Sequence, residues 1–124
     1  MPKVLIVFIG GGIGAATRYL TTLAAGKWLG VDFPWGTLIV NLAGCFLIGV
    51  ALALAEKTDL MQPSLRLFFV TGFLGGLTTF SSFAMESVVA ARGGMPAALV
   101  NIAANNVAGV ALVISGIRLT ELFI

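Results

Sequence analysis

Long stretches without a charged side chain constrain this sequence more than any other feature. No Asp, Glu, Lys or Arg lies between Asp32 and Glu56, between Arg66 and Glu86, or between Arg92 and Arg118. Each stretch is close to the ~20 residues that an α-helix needs to cross a bilayer. A fourth apolar stretch, residues 4–25, contains Arg18. The sequence therefore predicts four transmembrane helices.

The composition agrees with a lipid environment. Only 10% of the residues are charged, whereas soluble domains carry roughly a quarter. Long apolar runs predict helices, because a membrane barrel would show short segments of alternating polarity. We predict an all-α membrane protein with one domain of four transmembrane helices, at about 4–25, 34–56, 66–91 and 96–119.

Several function classes have no residues to support them. The chain has no histidine and one cysteine, Cys45, and the interior of the predicted spans contains no carboxylate. Side-chain metal sites and acid–base catalysis therefore lack their usual groups, and we expect no enzymatic activity. The formal net charge of +2 comes from scattered basic residues, which gives no support for nucleic-acid binding.

The basic residues are distributed almost evenly between the two sides of the predicted bundle. One side carries Lys3, Lys57, Arg66 and Arg118, and the other carries Lys27, Arg92 and, near it, Arg18. An even balance of Lys and Arg does not fix one orientation. The sequence predicts insertion both ways up and an antiparallel dimer with inverted symmetry. The alternative is that other features select a single orientation.

The third predicted span contains the motif GFLGGLTTFSSF, residues 72–83. Glycine costs about 1 kcal/mol relative to alanine inside a helix, and Thr and Ser can bond backbone groups that a break sets free. The motif predicts a break near the middle of the third helix. The alternative is close helix packing through small residues.

Two phenylalanines of this motif, Phe80 and Phe83, lie on one face if the helix resumes there. Aromatic rings have a positive edge, so two edges facing inward could hold a small anion without any formal charge. The alternative is that both rings face lipid or pack against neighbouring helices.

Uncharged polar side chains lie within the other spans. Asn41 is four residues after Thr37 in the second span, and it could donate to an anion or bond to another helix. Arg18 could act in function or extend to the interface. Glu86 near the end of the third span could be its solvated cap. The fourth span has a polar stripe of Asn101, Asn105, Asn106 and Ser115.

The motifs GGGIGAATRY, GTLIVNLAG and GFLGGLTTFSSF together resemble the Fluc family of fluoride channels, also called CrcB proteins. The resemblance covers nearly the whole chain. It implies an antiparallel dual-topology homodimer in the bacterial plasma (inner) membrane, with two pores at the subunit interface and passive export of fluoride. It also implies a structural sodium ion at the dimer centre, held by the backbone carbonyls of Gly75 and Thr78 of both subunits.

The resemblance also assigns roles to side chains. Phe80 and Phe83 would line the fluoride pathway and Asn41 would donate to the ion. Further polar contacts along the pathway would come from Ser81, Ser82 and Thr37. Arg18 matches the arginine of the family's first helix. Asn101 and Asn105 stand where many relatives have Tyr and Ser, so this part of the pathway departs from the family pattern.

Two other functions remain as alternatives. A small four-helix, dual-topology, proton-coupled exporter would need an ionisable carboxylate within a span, and the predicted spans have none in their interior. A membrane scaffold without transport would use the glycines only for helix packing, and it would show no dependence on ions.

Overall fold

The structure is a computed structural model that describes all 124 residues. Its four long helices are α1 (Lys3–Leu29), α2 (Trp35–Lys57), α3 (Pro63–Arg92) and α4 (Met95–Phe123). No strand is present. Each helix is long and apolar enough to cross a membrane, so the prediction of an all-α chain with four such helices is confirmed.

Two helices continue further than the sequence predicts. Helix α1 ends at Leu29 and α4 at Phe123, not at residues 25 and 119. The stop of α1 is Gly30, whose φ of 89° is open to glycine but strained for other residues. Gly26 and Lys27, which precede it, remain helical.

Helix α1 packs against the first half of α3 with almost no side chain between the two backbones. A Cβ atom added at Gly14 would overlap the carbonyl oxygen of Phe73, and one at Gly76 would overlap that of Gly11. A Cβ at Gly72 would lie 3.0 Å from the Cα of Gly10. Small residues such as glycine at the interface allow helix backbones to approach this closely.

Helices α2 and α4 form a second close pair. A Cβ atom at Gly49 would overlap the carbonyl oxygen of Val113, and one at Gly116 would overlap that of Phe46. The fold therefore consists of two glycine-packed pairs, α1 with α3 and α2 with α4. A small core of Val40, Leu74 and Leu77 joins them.

Helix α3 is not uniformly wound, and only its first turn, Pro63–Arg66, precedes the irregular part. Residues Leu67–Leu74 are a π-helix, Gly75–Leu77 return to α geometry, and Phe80–Arg92 form the second half. Between the halves, Thr78 (φ −86°, ψ 156°) and Thr79 (φ −149°, ψ 123°) are extended. The hydroxyl oxygen of Thr79 accepts a hydrogen bond from the Ser82 amide at 3.3 Å and caps the second half.

The glycines of the motif have a different role from the one the sequence suggests. Gly75 has helical angles (φ −62°, ψ −37°), and it begins a helical segment that includes Gly76. The packing alternative applies to Gly72 and Gly76, which contact α1. The extended residues are the two threonines that follow.

Most of the apolar surface of one chain is uncovered. Only 20 of the 124 residues are buried, and large apolar side chains are exposed along all four helices. Such a surface requires lipid or another protein chain around it.

Candidate ion pathway beside the interrupted helix

The side chain of Asn41 in α2 bonds the extended backbone between the halves of α3. Its Oδ1 accepts from the Thr79 amide at 2.9 Å, and its Nδ2 donates to the Thr79 carbonyl at 3.1 Å. The second hydrogen of Nδ2 goes to Oδ1 of Asn105 at 2.9 Å. The alternative that Asn41 bonds across to other helices therefore describes this structure, and both of its N–H groups have protein acceptors.

These bonds divert two backbone amides from their helical partners. In a continuous helix the Thr79 amide would bond the Gly75 carbonyl, and the Ser82 amide would bond the Thr78 carbonyl. Here they donate to Asn41 and to the Thr79 hydroxyl instead. The Gly75 and Thr78 carbonyls are thus left without their helical donors. Both residues line one open cleft.

This first cleft has a volume of about 370 Å³ and no charged residue in its wall. It combines amides, a hydroxyl, backbone polar groups and aromatic rings. Its polar and aromatic lining includes Asn41, Thr78, Thr79, Phe80, Phe83 and Asn105. A small ion in this cleft would meet neutral donors and acceptors only.

Phe80 and Phe83 form an aromatic pair in the wall of the first cleft. Their ring centroids are 5.6 Å apart and the planes are tilted by 58°. Phe83 is only 8% exposed, whereas Phe80 is 78% exposed. One ring is therefore fixed in the bundle and the other projects from the surface of the chain.

A second cleft of about 400 Å³ is lined by polar side chains of α1, α2 and α3. Thr37 donates to Oε1 of Glu86 at 2.6 Å, and Ser82 and Arg18 also line this cleft. Glu86 is half-buried and lies within α3, so it does not cap the end of that helix. Ser81 is exposed and lines neither cleft.

Arg18 bonds the protein backbone beside the interruption. Its Nε donates to the Gly76 carbonyl at 3.1 Å. Gly76 lies in the last turn of the first half of α3, where carbonyls lack helical donors and attract cations. This contact stabilises the basic side chain within the span. Extension of Arg18 to the membrane interface is therefore not the whole explanation of its position.

The polar stripe of α4 belongs to the same hydrogen-bonded region. Asn105 donates to the carbonyl and side-chain oxygens of Asn101 at 2.9 and 3.0 Å, and Asn101 donates to Ser87 at 2.9 Å. Sequence reasoning missed Ser87, because a serine in a helix carries no pattern of its own. Asn106 and Ser115 bond only carbonyls of α4.

No group of three or more His, Cys, Asp or Glu side chains is arranged to hold a metal ion. A cation at this site would need backbone carbonyls, and those of Gly75 and Thr78 are two that lack their helical donors.

Comparison with known proteins gives a consistent result. The family model described as "CrcB-like protein, Camphor Resistance (CrcB)" matches residues 5–117. A protein of Rhodospirillum centenum is 41% identical over 120 residues, covering 96% of this chain and 95% of its own. One from Azobacteroides pseudotrichonymphae is 40% identical with 99% of both chains covered. One from Legionella pneumophila (strain Lens) is 46% identical, covering 90% and 84%. All three are named fluoride-specific ion channel FluC.

Proposed function

The chain belongs to the CrcB family of fluoride channels, and on that premise we propose that it conducts fluoride passively and selectively through a pathway that includes the first cleft. It is a multi-pass membrane protein and not an enzyme. The main support for the proposal is the cleft beside the interrupted helix. The wall of this cleft has polar and aromatic groups but no charged residue.

The chemistry of this lining suits a small, strongly hydrated anion. Fluoride must exchange its water for other hydrogen-bond donors, and amide N–H groups and ring edges of Phe80 and Phe83 can supply them. Because both N–H groups of Asn41 are engaged, donation to the ion requires one of them to leave Asn105 or Thr79. A neutral lining also permits release, which conduction requires as much as binding.

The polar groups of the second cleft extend the pathway in this proposal. Ser82 offers a hydroxyl there, and Ser81 adds another on the exposed side of α3. The Thr37 hydroxyl donates to Glu86, so it would have to leave that carboxylate to serve the ion. Arg18 contributes a positive charge at the same cleft, where it would offset the negative charge of Glu86 and favour entry of an anion.

We propose that the complete pathway forms in an antiparallel homodimer with two pores. Phe80 is 78% exposed and the first cleft is open in the single chain, so a second copy would provide the missing walls. The near-even split of Lys and Arg supports insertion in both orientations. Labelling of tags at the termini should find both faces of one membrane accessible. Labelling from a single side would contradict the antiparallel dimer.

A sodium ion at the centre of this dimer is the cofactor we propose. The Gly75 and Thr78 carbonyls of two subunits would supply four oxygens, which suit a hard alkali cation. Bare carbonyls at membrane depth cost several kcal/mol each, so the ion would be structural. Thr78→Ala keeps the carbonyl and should retain sodium better than Gly75→Val. If fluoride flux and dimer stability are both unchanged when sodium is replaced by a bulky organic cation, this proposal is contradicted.

Release of fluoride from liposomes that contain the purified protein tests the main proposal. Fluoride should leave without an imposed proton gradient, and chloride should be retained. Efflux that occurs only with a proton gradient would favour the coupled exporter, which the relatives' names do not support. Export across a bacterial inner membrane is the physiological role we propose.

A further inference from the structure

A single line of hydrogen bonds connects the start of the second half of α3 to a carbonyl one turn further along the same helix, by way of α2 and α4. The Thr79 amide donates to Asn41, Asn41 to Asn105, and Asn105 to Asn101. Asn101 then donates to the Ser87 hydroxyl, which donates to the Phe83 carbonyl. We call the segment of Asn105, Asn101 and Ser87 the amide relay.

All five bonds point in the same direction, from donor to acceptor, and their lengths lie between 2.8 and 3.0 Å. Aligned hydrogen bonds polarise one another, and in a low-dielectric interior each is stronger than it would be in water. Asn101 has no exposed surface and Ser87 is 7% exposed, so water cannot replace their partners. Removal of any one member leaves buried polar groups without bonds.

The relay determines which way the Asn41 amide faces. Asn105 offers an oxygen to Asn41, because its own NH2 group is occupied by two oxygens of Asn101. Asn41 must therefore turn its NH2 towards Asn105, which leaves its oxygen for the Thr79 amide. Neither Asn101 nor Ser87 lines the first cleft, so any effect they have on it passes through Asn105 and the backbone of α3.

The winding of α4 supports the same interpretation. Residues Ala104–Ala108 form a π-helical turn around Asn105, and π turns within helices frequently occur at functional sites. The Asn105 NH2 group donates to both the carbonyl oxygen and the side-chain oxygen of Asn101, four positions earlier. The π-helical turn therefore contains Asn105, whose side-chain oxygen accepts from Asn41 of α2.

We infer that Asn101, Asn105 and Ser87 are positioning residues, which hold the extended Thr79 and orient the Asn41 NH2 group so that one of its hydrogens can turn to fluoride during conduction. This inference rests on the proposed channel function. To that function it adds a structural role: Asn101 and Asn105 of α4 fix the orientation of the Asn41 amide in α2.

Two serine substitutions give a matched test. Ser87 and Ser115 each donate to the carbonyl four residues earlier at 2.8 Å, but only Ser87 also accepts from Asn101. Ser87→Ala should lower passive fluoride flux about threefold to tenfold, since it leaves one buried donor unpaired. Ser115→Ala should leave flux unchanged. Equal flux in the two variants would overturn the inference.

A double-mutant cycle separates positioning from packing. Asn105→Leu should lower flux about tenfold or more. In a chain that already carries Asn105→Leu, adding Asn101→Leu should lower flux little further. Asn101 is then no longer connected to Asn41 by hydrogen bonds. Loss of flux equal to the product of the two single effects would show that Asn101 acts independently of the relay and would overturn the inference.

A direct measurement at Thr79 keeps the test decisive if the leucine variants fold poorly. Hydrogen exchange of the Thr79 amide should be faster in Ser87→Ala than in Ser115→Ala, although the Ser87 side chain makes no hydrogen bond to Thr79. Unchanged exchange would also overturn the inference. If the unmodified protein passes no fluoride, the proposed function fails, whereas normal wild-type flux with a silent Ser87→Ala removes only the relay.

Discussion

Asn41 and Thr79 are joined by a reciprocal pair of hydrogen bonds, in which one side-chain amide satisfies both the N–H and the C=O of one residue at 2.9 and 3.1 Å. The two residues are 38 positions apart, on α2 and between the halves of α3. This pair replaces helical hydrogen bonds at the interruption. The Asn41 side chain in α2 bonds the Thr79 N–H and C=O, which backbone groups of α3 would bond in a continuous helix.

Substitution of Asn41 by its acidic isostere should disrupt this pair. In its ionised form, Asn41→Asp still accepts from the Thr79 amide but cannot donate to the Thr79 carbonyl or to Asn105. Loss of two buried bonds should lower the free energy of unfolding by about 2 kcal/mol, and fluoride flux should fall at least tenfold. Detergent unfolding followed by circular dichroism and liposome flux would measure the two effects. Unchanged stability would show that the pair contributes little.

Two glycines should respond in opposite ways to the same added methyl group. A Cβ at Gly76 would overlap the Gly11 carbonyl, whereas nothing lies within 4 Å of a Cβ at Gly12. Gly76→Ala should therefore cost about 1–3 kcal/mol by forcing α1 and α3 apart. Gly12→Ala should be neutral or gain up to about 1 kcal/mol from helix propensity. Unfolding free energies of the two variants test this, and similar values would contradict the close packing.

The two rings of the aromatic pair should separate conduction from stability. Phe80→Ile should lower fluoride flux and leave the fold of the single chain intact, because Phe80 is 78% exposed there. Phe83→Ile should also lower the free energy of unfolding, by about 1 kcal/mol, since Phe83 is buried. Flux and unfolding would be measured on both variants. A normal flux in Phe80→Ile would remove that ring from the pathway.

Arg18 should stabilise the end of the first half of α3. Arg18→Leu removes a charge-assisted bond to the Gly76 carbonyl and should cost about 2 kcal/mol. Arg92 is exposed and has no ion pair, so Arg92→Leu serves as the control for loss of a positive charge. Unfolding in detergent at two salt concentrations compares them. Equal stability of the two variants would show that the Arg18 contact is energetically silent.

Some features of the site were visible in the sequence because they depend on local spacing. The relation of Asn101 to Asn105 follows from helical periodicity, and their hydrogen bonds join adjacent turns. Asn41 was conspicuous because an amide within an uncharged span must find a partner. Its actual partners, Thr79 and Asn105, could not be predicted, since they depend on how three helices are packed.

Other features could be assigned only with the helices in place. The resemblance implies one pathway through the polar positions of α2 and α3, but Thr37 and Ser82 line a different cleft from Asn41 and Phe80. The sequence places residues along a helix, while the packing of neighbouring helices determines which faces border the same space.

By itself, the sequence determined the class of fold, because long runs without charge fit a bilayer only as spanning helices. It also marked α3 as unusual through the composition of residues 72–83. Tertiary structure decided where the helical bonding stops and why. Glycine propensity alone would weaken the helix at residues 72–76, but Gly72 and Gly76 are held against α1, while Asn41 captures the Thr79 amide. A helix is interrupted where a competing partner is in reach, and that position is a property of the packed chain.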